Sequence, residues 1–340
     1  MNKISLFIII SLVISCTNKQ KEEFIQTQLL KNGKFLNSSH RINRLLDIHF
    51  IGNKYLINDP DGNYQFKIFD INNPEYELKI AKTGEGPCEF SFPTFSQILP
   101  NDTSTIGLYN SRLFMYREIK LLEDDYYCTS KEKQRIANNF YRVIKANDTI
   151  LFGTGMFQKK YAVEYENLAE YQQLDINYPF TDPSSEVENF SITMSQQGQL
   201  FLRPDGKYIL TTSQFSPTFD ILEITKKDIK LKYRFEGWPP QFSGSDNPNV
   251  ITASMSDSNK FGYISSSVSN QYIYLLFSGK NLSQSPYLSD IIQVLDWNGN
   301  KIKELIIPIK VNQIAVSPND DFLITYHDDG KPNLTLYELE

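Results

Sequence analysis

The chain has 340 residues, of which 40% are hydrophobic and 22% charged, so it can bury a sizeable core. A net charge of −6, with no block of Lys or Arg, argues against a nucleic-acid partner. Aromatic residues reach 13%, with 23 Phe and 20 Tyr, and this bias favours strands over helices.

The N-terminus reads "MNKISLFIIISLVISC". Lys3 precedes an apolar run over residues 4–14, which is too short to span a bilayer and suits a secretory signal over residues 1–15. "LVISC" resembles the bacterial lipobox, in which a small residue precedes a cysteine that becomes lipidated. Cys16 is therefore the candidate lipidation site. The alternative is an ordinary signal in which Cys16 is incidental. Residues 16–23 are polar and charged, as a flexible tether requires. Residues 20–23, "QKEE", resemble the Lys-plus-acidic signals of some surface lipoproteins. No other run in the chain could cross a membrane.

Residues 24–340 read as one all-β unit. "EFIQTQLL" near Phe24 is its first strand. Hairpins then follow around "IHFIGNKYLIND", "QILPNDTSTIGLY", "RVIKANDTILFG", "QLFLRPDGKYILTT", "SSVSNQYIYLLFS" and "QIAVSPNDDFLITY". The copies starting at Gln199 and Gln313 align without a gap, with Pro204 matching Pro318. The six tips, Asn53, Asn101, Asn147, Asp205, Asn270 and Asn319, hold residues that tolerate turn geometry. They recur at roughly the 40–50-residue period of a four-stranded propeller blade, with two longer gaps. A third strand follows each hairpin: "FKIFDI", "LFMYREI", "YAVEYE", "FDILEI", "IIQVLDW" and "LTLYELE". Fourth strands read as "YELKIA", "IKLLED", "IKLKYRF" and "KIKELIIPI", and none is evident in the third blade. Helical periodicity over a useful length occurs nowhere, and "SKEKQRIANNFYRV" comes closest.

The sixth repeat ends at the C-terminus without an outer strand, and an open blade would expose a sheet edge. The expectation is a six-bladed propeller whose last blade is closed by the N-terminal segment, with residues 24–30 pairing beside Leu334 and Leu339.

"FKIFDINNPEYELKIAKTGEGPCEF" and "IIQVLDWNGNKIKELIIPIKVNQIAVSPNDDFLITYH" are similar to the first-blade segment and the fifth-to-sixth-blade passage of the TolB-like six-bladed β-propeller lipoproteins of Bacteroidetes. The resemblance covers the lipobox and most of the remaining chain, and its motifs speak for the fold rather than for an activity. Cys88 stands where that pattern has glycine. If the position needs positive φ, Cys88 is mildly strained, or the turn differs locally.

"KTGEGPCEF" meets neither requirement of a phosphate loop, because no Gly-Lys-Ser/Thr and no following helix is present. It reads as a crossing between blades. Cys88 lacks a local base and is not expected to act as a nucleophile. With Cys128 it reads as one of two separate thiols, a bridge being the alternative. The three histidines, His40, His49 and His327, are scattered, so no metal centre is expected. His327, ahead of two aspartates and a glycine, reads as part of a hydrophilic turn. Asp59, Asp61 and Asn63 alternate as in a calcium loop, but Gly62 comes too early and Asp61-Gly62 is a hairpin signal. Glu164 and Glu166 read as a solvated strand face.

Two insertions stretch the repeat, at residues 167–190 and 236–250. Long loops on a compact fold are commonly functional, and the second carries Trp238 and Phe242, the candidate binding residues. A proline-stiffened crossing is the competing reading. The expectation is a monomeric outer-membrane lipoprotein, periplasmic or surface-facing, that binds an envelope protein or glycan. It has no assigned catalytic residue, cofactor or metal. The alternative is a hydrolase or lyase acting on an envelope or dietary polysaccharide.

Overall fold

The computed structural model describes residues 26–339, apart from 37–41, 87, 92–94, 101, 130–133, 166–169, 182–188, 226–227, 245–252 and 328–332. Cys16, the signal, the tether, His40, the tip residue Asn101 and Glu166 lie outside the described residues.

Alternating apolar strands, too short to form a core alone, stack here as six antiparallel blades around a channel. The innermost strands are Asp47–Ile51, Phe95–Leu99, Phe140–Asn147, Leu200–Leu202, Tyr263–Val268 and Gln313–Val316. Each packs beside the innermost strand of the next blade, and the sixth returns to the first. The second strands are the most deeply buried, as in Lys54–Asn58 and Tyr272–Phe277. Side-chain stitches fix neighbouring blades. Ser265 Oγ and Ser267 Oγ accept the backbone N–H groups of Ile314 and Val316 at 3.1 and 2.9 Å. The Gln97 amide bonds both backbone groups of Lys145 at 2.9 and 3.0 Å.

The N-terminal segment does close the last blade, by a different strand than residues 24–30. Lys34–Phe35 pairs antiparallel with Asn333–Glu338, opposite Leu336 and Thr335. Gln26–Leu29 instead runs parallel to Lys301–Val311, as a fifth strand on blade five. The chain therefore climbs blade five and crosses to blade six at Gly33. A Cβ there would lie 2.6 Å from Thr335 and 2.7 Å from Tyr337, so the close crossing requires glycine. Leu30 and Leu36 anchor the two strands in the core at 3% and 8% exposure. Period-two alternation carries no strand polarity, so a parallel addition is invisible to it.

Other outer strands also differ. Blade two is completed by Tyr126–Cys128 rather than by residues 119–124, with Gln134–Arg135 farther along the same edge. Blade three has a fourth strand, Tyr171–Gln173, lying within the first insertion. That insertion ends in a helix, Asn189–Ser195, whose seven residues are too few for a periodic signal. Residues 134–135 and 140–147, the best helical candidate, form strands.

Cys88 and Cys128 are joined, with Cα atoms 5.8 Å apart, instead of standing as separate thiols. The bridge ties the crossing between blades one and two to the outer strand of blade two. Alternation places the outer strand at residues 119–124 and so gives no sign that Cys128 lies beside Cys88. Cys88 is not among the positive-φ residues, so the turn differs locally from the glycine pattern.

Candidate functional site

The channel opens at two ends. At the hairpin-tip end a cavity of about 410 Å³ is lined mainly by apolar strand residues, with Pro204, Asp205, Asn270 and Pro318 at its rim. At the other end a cavity of about 770 Å³ is lined by Arg44, Arg112 and Arg142, by the carboxamides of Asn58, Gln199, Gln214, Asn312 and Gln313, and by Tyr263 and Tyr287. Asp47 is the one carboxylate among its described lining residues.

Local turns aim the arginines. Asp59, fully buried, accepts the backbone N–H groups of Asn43 and Arg44 at 2.9 and 2.7 Å and takes Lys67 Nζ at 2.5 Å. This carboxylate orders the segment carrying Arg44. Asp61 accepts from the backbone of Asn63 and Tyr64 and pairs with Lys79. Both aspartates are therefore engaged as turn anchors. Asn110 Oδ1 accepts from the backbone of Arg112 and Leu113, an Asx turn that projects Arg112. Arg142 follows a register shift in the innermost strand of blade three, and such bulges redirect side chains. Its guanidinium lies 5.8 Å from the centroid of the Phe95 ring. Burial pulls Arg142 below its ordinary value, with the Asp47 carboxylate opposing. Among the described residues Arg142 has no ion pair.

Three oxygens at this mouth, Asn58 Oδ1, Gln199 Oε1 and Asn312 Oδ1, are buried without a hydrogen-bond partner. The aligned repeats make Gln199 informative. Its counterpart Gln313 accepts a hydrogen bond from Ser265 Oγ at 3.1 Å, whereas the Gln199 oxygen is left unspent.

Behind this mouth a side chamber of about 210 Å³ shares Arg142 and Gly198 with it. Lys160, Tyr141, Tyr178, Thr193 and Gln196 are among its walls. Beyond Gln196 lies a cleft of about 280 Å³ between the two insertions, walled by Phe180, Ile192, Pro239, Pro240 and Phe242. The helix packs against a small hairpin, Phe242–Gly244 with Ala253–Met255. Phe242 thus faces a cleft, but Trp238 does not join it. Trp238 Nε1 donates to Lys260 O at 3.0 Å, and its ring meets Phe277 edge-on. The two aromatics do not form one platform. The arginines and Gln199 were not singled out by the sequence: Arg44 precedes the first strand of its blade, Arg112 follows the second strand of the next and Arg142 lies within the first strand of the third, so they share no position in the repeat.

Two other motifs acquire partners. His49 Nε2 lies 2.9 Å from Asp47 Oδ2 and 3.0 Å from Ser96 Oγ. A Ser-His-Asp relay needs the acid and the hydroxyl on opposite ring nitrogens, whereas here both meet Nε2. Ser96 is also fully buried. The crossing "KTGEGPCEF" holds its own anion. Glu89 Oε2 accepts the Gly86 N–H at 3.0 Å, and a Cβ on Gly84 would strike the same oxygen at 2.0 Å. The Gly86 amide, and then Lys82, hold the Glu89 carboxyl below its ordinary value. Glu164 is buried, not solvated, and its Oε2 accepts the Ala137 N–H. His327 is buried at the end of its strand, with Nδ1 unpartnered.

A family model described as TolB-like 6-blade propeller-like matches residues 21–319. The chain is similar to the crystal structure of a "putative exported protein" from Bacteroides fragilis NCTC 9343, at 12% identity and TM-score 0.57, covering 93% of this chain and 100% of that one. It is also similar to the β-propeller domain of Cps50 (Swd1) from Myceliophteria thermophila, at 8% identity and TM-score 0.49, covering 89% and 86%. Among curated proteins none matches the chain.

Proposed function

Because this chain belongs to the TolB-like six-bladed propeller family, and because a propeller is a scaffold onto which sites are grafted, we propose that it is a binding module of the cell envelope. Its partner, a protein or glycan, docks at the mouth lined by the three arginines. The observation carrying this reading is the convergence of three arginines and five carboxamides on one cavity, with three amide oxygens left unpartnered. A buried polar atom without a partner costs about 1–3 kcal/mol; these oxygens are covered, so a ligand would meet the arginines first and reach the oxygens only as their side chains turn.

Export and anchoring complete the proposal. Cys16 carries the lipid, residues 16–23 form the tether, and the propeller stands on the outer membrane as a monomer, facing the periplasm or the surface. The Cys88–Cys128 bridge suits an oxidising compartment and leaves Cys16 as the single unpaired cysteine. The hydrolase or lyase reading finds no support in the Asp47–His49–Ser96 geometry.

The double substitution Arg44→Ala with Arg112→Ala removes two exposed side chains. It should weaken capture of the partner from outer-membrane extract by the mature protein without lowering the unfolding midpoint. Unchanged capture would reject this mouth as the docking surface. Phe242→Ala should also reduce capture, whereas Trp238→Ala should act mainly through stability. Cys16→Ser should abolish fatty-acid labelling; persistent labelling would reject the anchor.

A further inference from the structure

The side chamber next to the mouth carries more positive charge than the protein balances. Among the described residues Arg142 has no hydrogen-bond acceptor, yet none of its nitrogens is covered, so the guanidinium is open to the two cavities that it lines. Lys160, in the wall of the chamber, is only 6% exposed. Its ammonium gives one hydrogen bond, to Asp220 Oδ2 at 2.9 Å. Asp220 is fully buried and also serves Arg234 at 2.7 and 2.8 Å and Tyr161 at 2.6 Å. In and behind the chamber three cations therefore meet one buried carboxylate, an excess of two positive charges.

Two further carboxylates come near, and neither cancels that excess. Glu236 lies 3.8 Å from Arg234 Nη1, but its side chain is 41% exposed and water screens it. Asp47 acts on Arg142 from the mouth side and is itself bonded to His49 and Ser96. No carboxylate is among the described lining residues of the chamber. Charge held away from water is costly unless a counterion compensates it.

A ligand that balances this excess concentrates two negative charges on one compact group. Tyr178 and Thr193 are bonded to each other and the Gln196 oxygen is covered, so recognition falls to the cations. A carboxylate or a sulfate ester carries one charge and would leave a cation uncompensated. A phosphate monoester carries close to two, and its oxygens match the planar arginine fork in paired bonds.

We propose that the chamber holds a dianionic phosphate, either free or as a monoester on the partner that docks at the mouth. The two cavities share Arg142 and Gly198, so an ester seated in the chamber continues into the mouth. The ester form rests on reading the mouth as a binding surface; the free ion does not.

Calorimetry with the mature protein tests this at about pH 8, in buffer free of sulfate, which has the same charge and shape. The probes are inorganic phosphate, glucose 6-phosphate and, at matched ionic strength, acetate. Phosphate should bind saturably and at least about tenfold more tightly than acetate, a comparison that needs no protein variant. Arg142→Gln should weaken phosphate by at least about tenfold, and Arg142→Lys, which keeps the charge but loses the fork, by less. Glucose 6-phosphate binding within about threefold of phosphate supports the ester source, and binding of phosphate alone supports the free ion. Phosphate no tighter than acetate, or unmoved by Arg142→Gln at an unchanged unfolding midpoint, overturns the proposal. The mouth reading survives that result if partner capture still depends on Arg44 and Arg112, and falls with it if capture ignores them.

Discussion

The two mouths of the channel are built by the same six blades but spend their polar groups differently. At the hairpin-tip end Ser96, Gln97, Asp205 and Ser267 are each bonded to the protein itself, and Asn270 is the exception. At the opposite end Arg142 and the oxygens of Asn58, Gln199 and Asn312 have no such partners among the described residues. The tips obey turn chemistry repeated around the ring, and that end is scaffold. The other end is where the repeat is interrupted by insertions, and there the groups held in reserve gather.

If this division is right, damage to the scaffold should lower stability and damage to the mouth should not. The largest loss should follow removal of the closing segment. Deleting residues 26–36 strips the outer strand from blade six and removes the buried Leu30 and Leu36, about 3–6 kcal/mol for those leucines alone. Deleting residues 26–30 should cost less, about 1.5–3 kcal/mol, because blade five keeps four strands without it. Urea midpoints for the two deletions distinguish a closing strand from a supporting one. Equal losses would mean that the parallel strand also locks the ring.

Much of this ring was legible because hairpin tips and alternation are local. Gln199 and Gln313 align by sequence, and both sit at the same end of the channel. Strand polarity and inter-blade neighbours are not local. Residues 26–29, Tyr126–Cys128 and the cysteine pair were therefore misplaced together. The site was harder still. Arg44, Arg112 and Arg142 come from three different blades, and no spacing along the chain announces their convergence. Phe242, proposed as a binding residue, was singled out because an interrupted repeat is itself a local signal.

A loss between those of the two deletions should follow Asp220→Asn, which sits between scaffold and site. Burial raises the Asp220 carboxyl, but Lys160 and Arg234 outweigh it and bring it down to about 2. Removing one partner of such a buried network costs about 3–5 kcal/mol. The pH dependence has a defined sign. The folded value lies below the unfolded value of about 3.9, so the contribution is complete above about pH 4 and is lost as pH falls toward 2. The Asn variant should lose that part of the acid limb. An unchanged acid limb would deny Asp220 this role.

Reducing Cys88–Cys128 should cost about 2–4 kcal/mol, since it opens a 40-residue loop far from both mouths. Ligand capture should be untouched, and a loss of capture would place the bridge in the site. The smallest stability effect belongs to Gln199→Leu. Replacing an amide whose buried oxygen lacks a partner should leave stability within about 0.5 kcal/mol or raise it, while weakening capture. A clear destabilisation would show that Gln199 is scaffold.

The central claim, that one mouth binds and the other supports, is tested most directly by site-specific photocrosslinking in intact cells. A crosslinker replaces Tyr287, half-exposed beside the arginines, or Asn319, exposed at a hairpin tip. The account predicts a discrete adduct from position 287 that disappears with Arg44→Ala and Arg112→Ala, and none from position 319. An adduct from position 319 alone, or equal adducts from both, would contradict it.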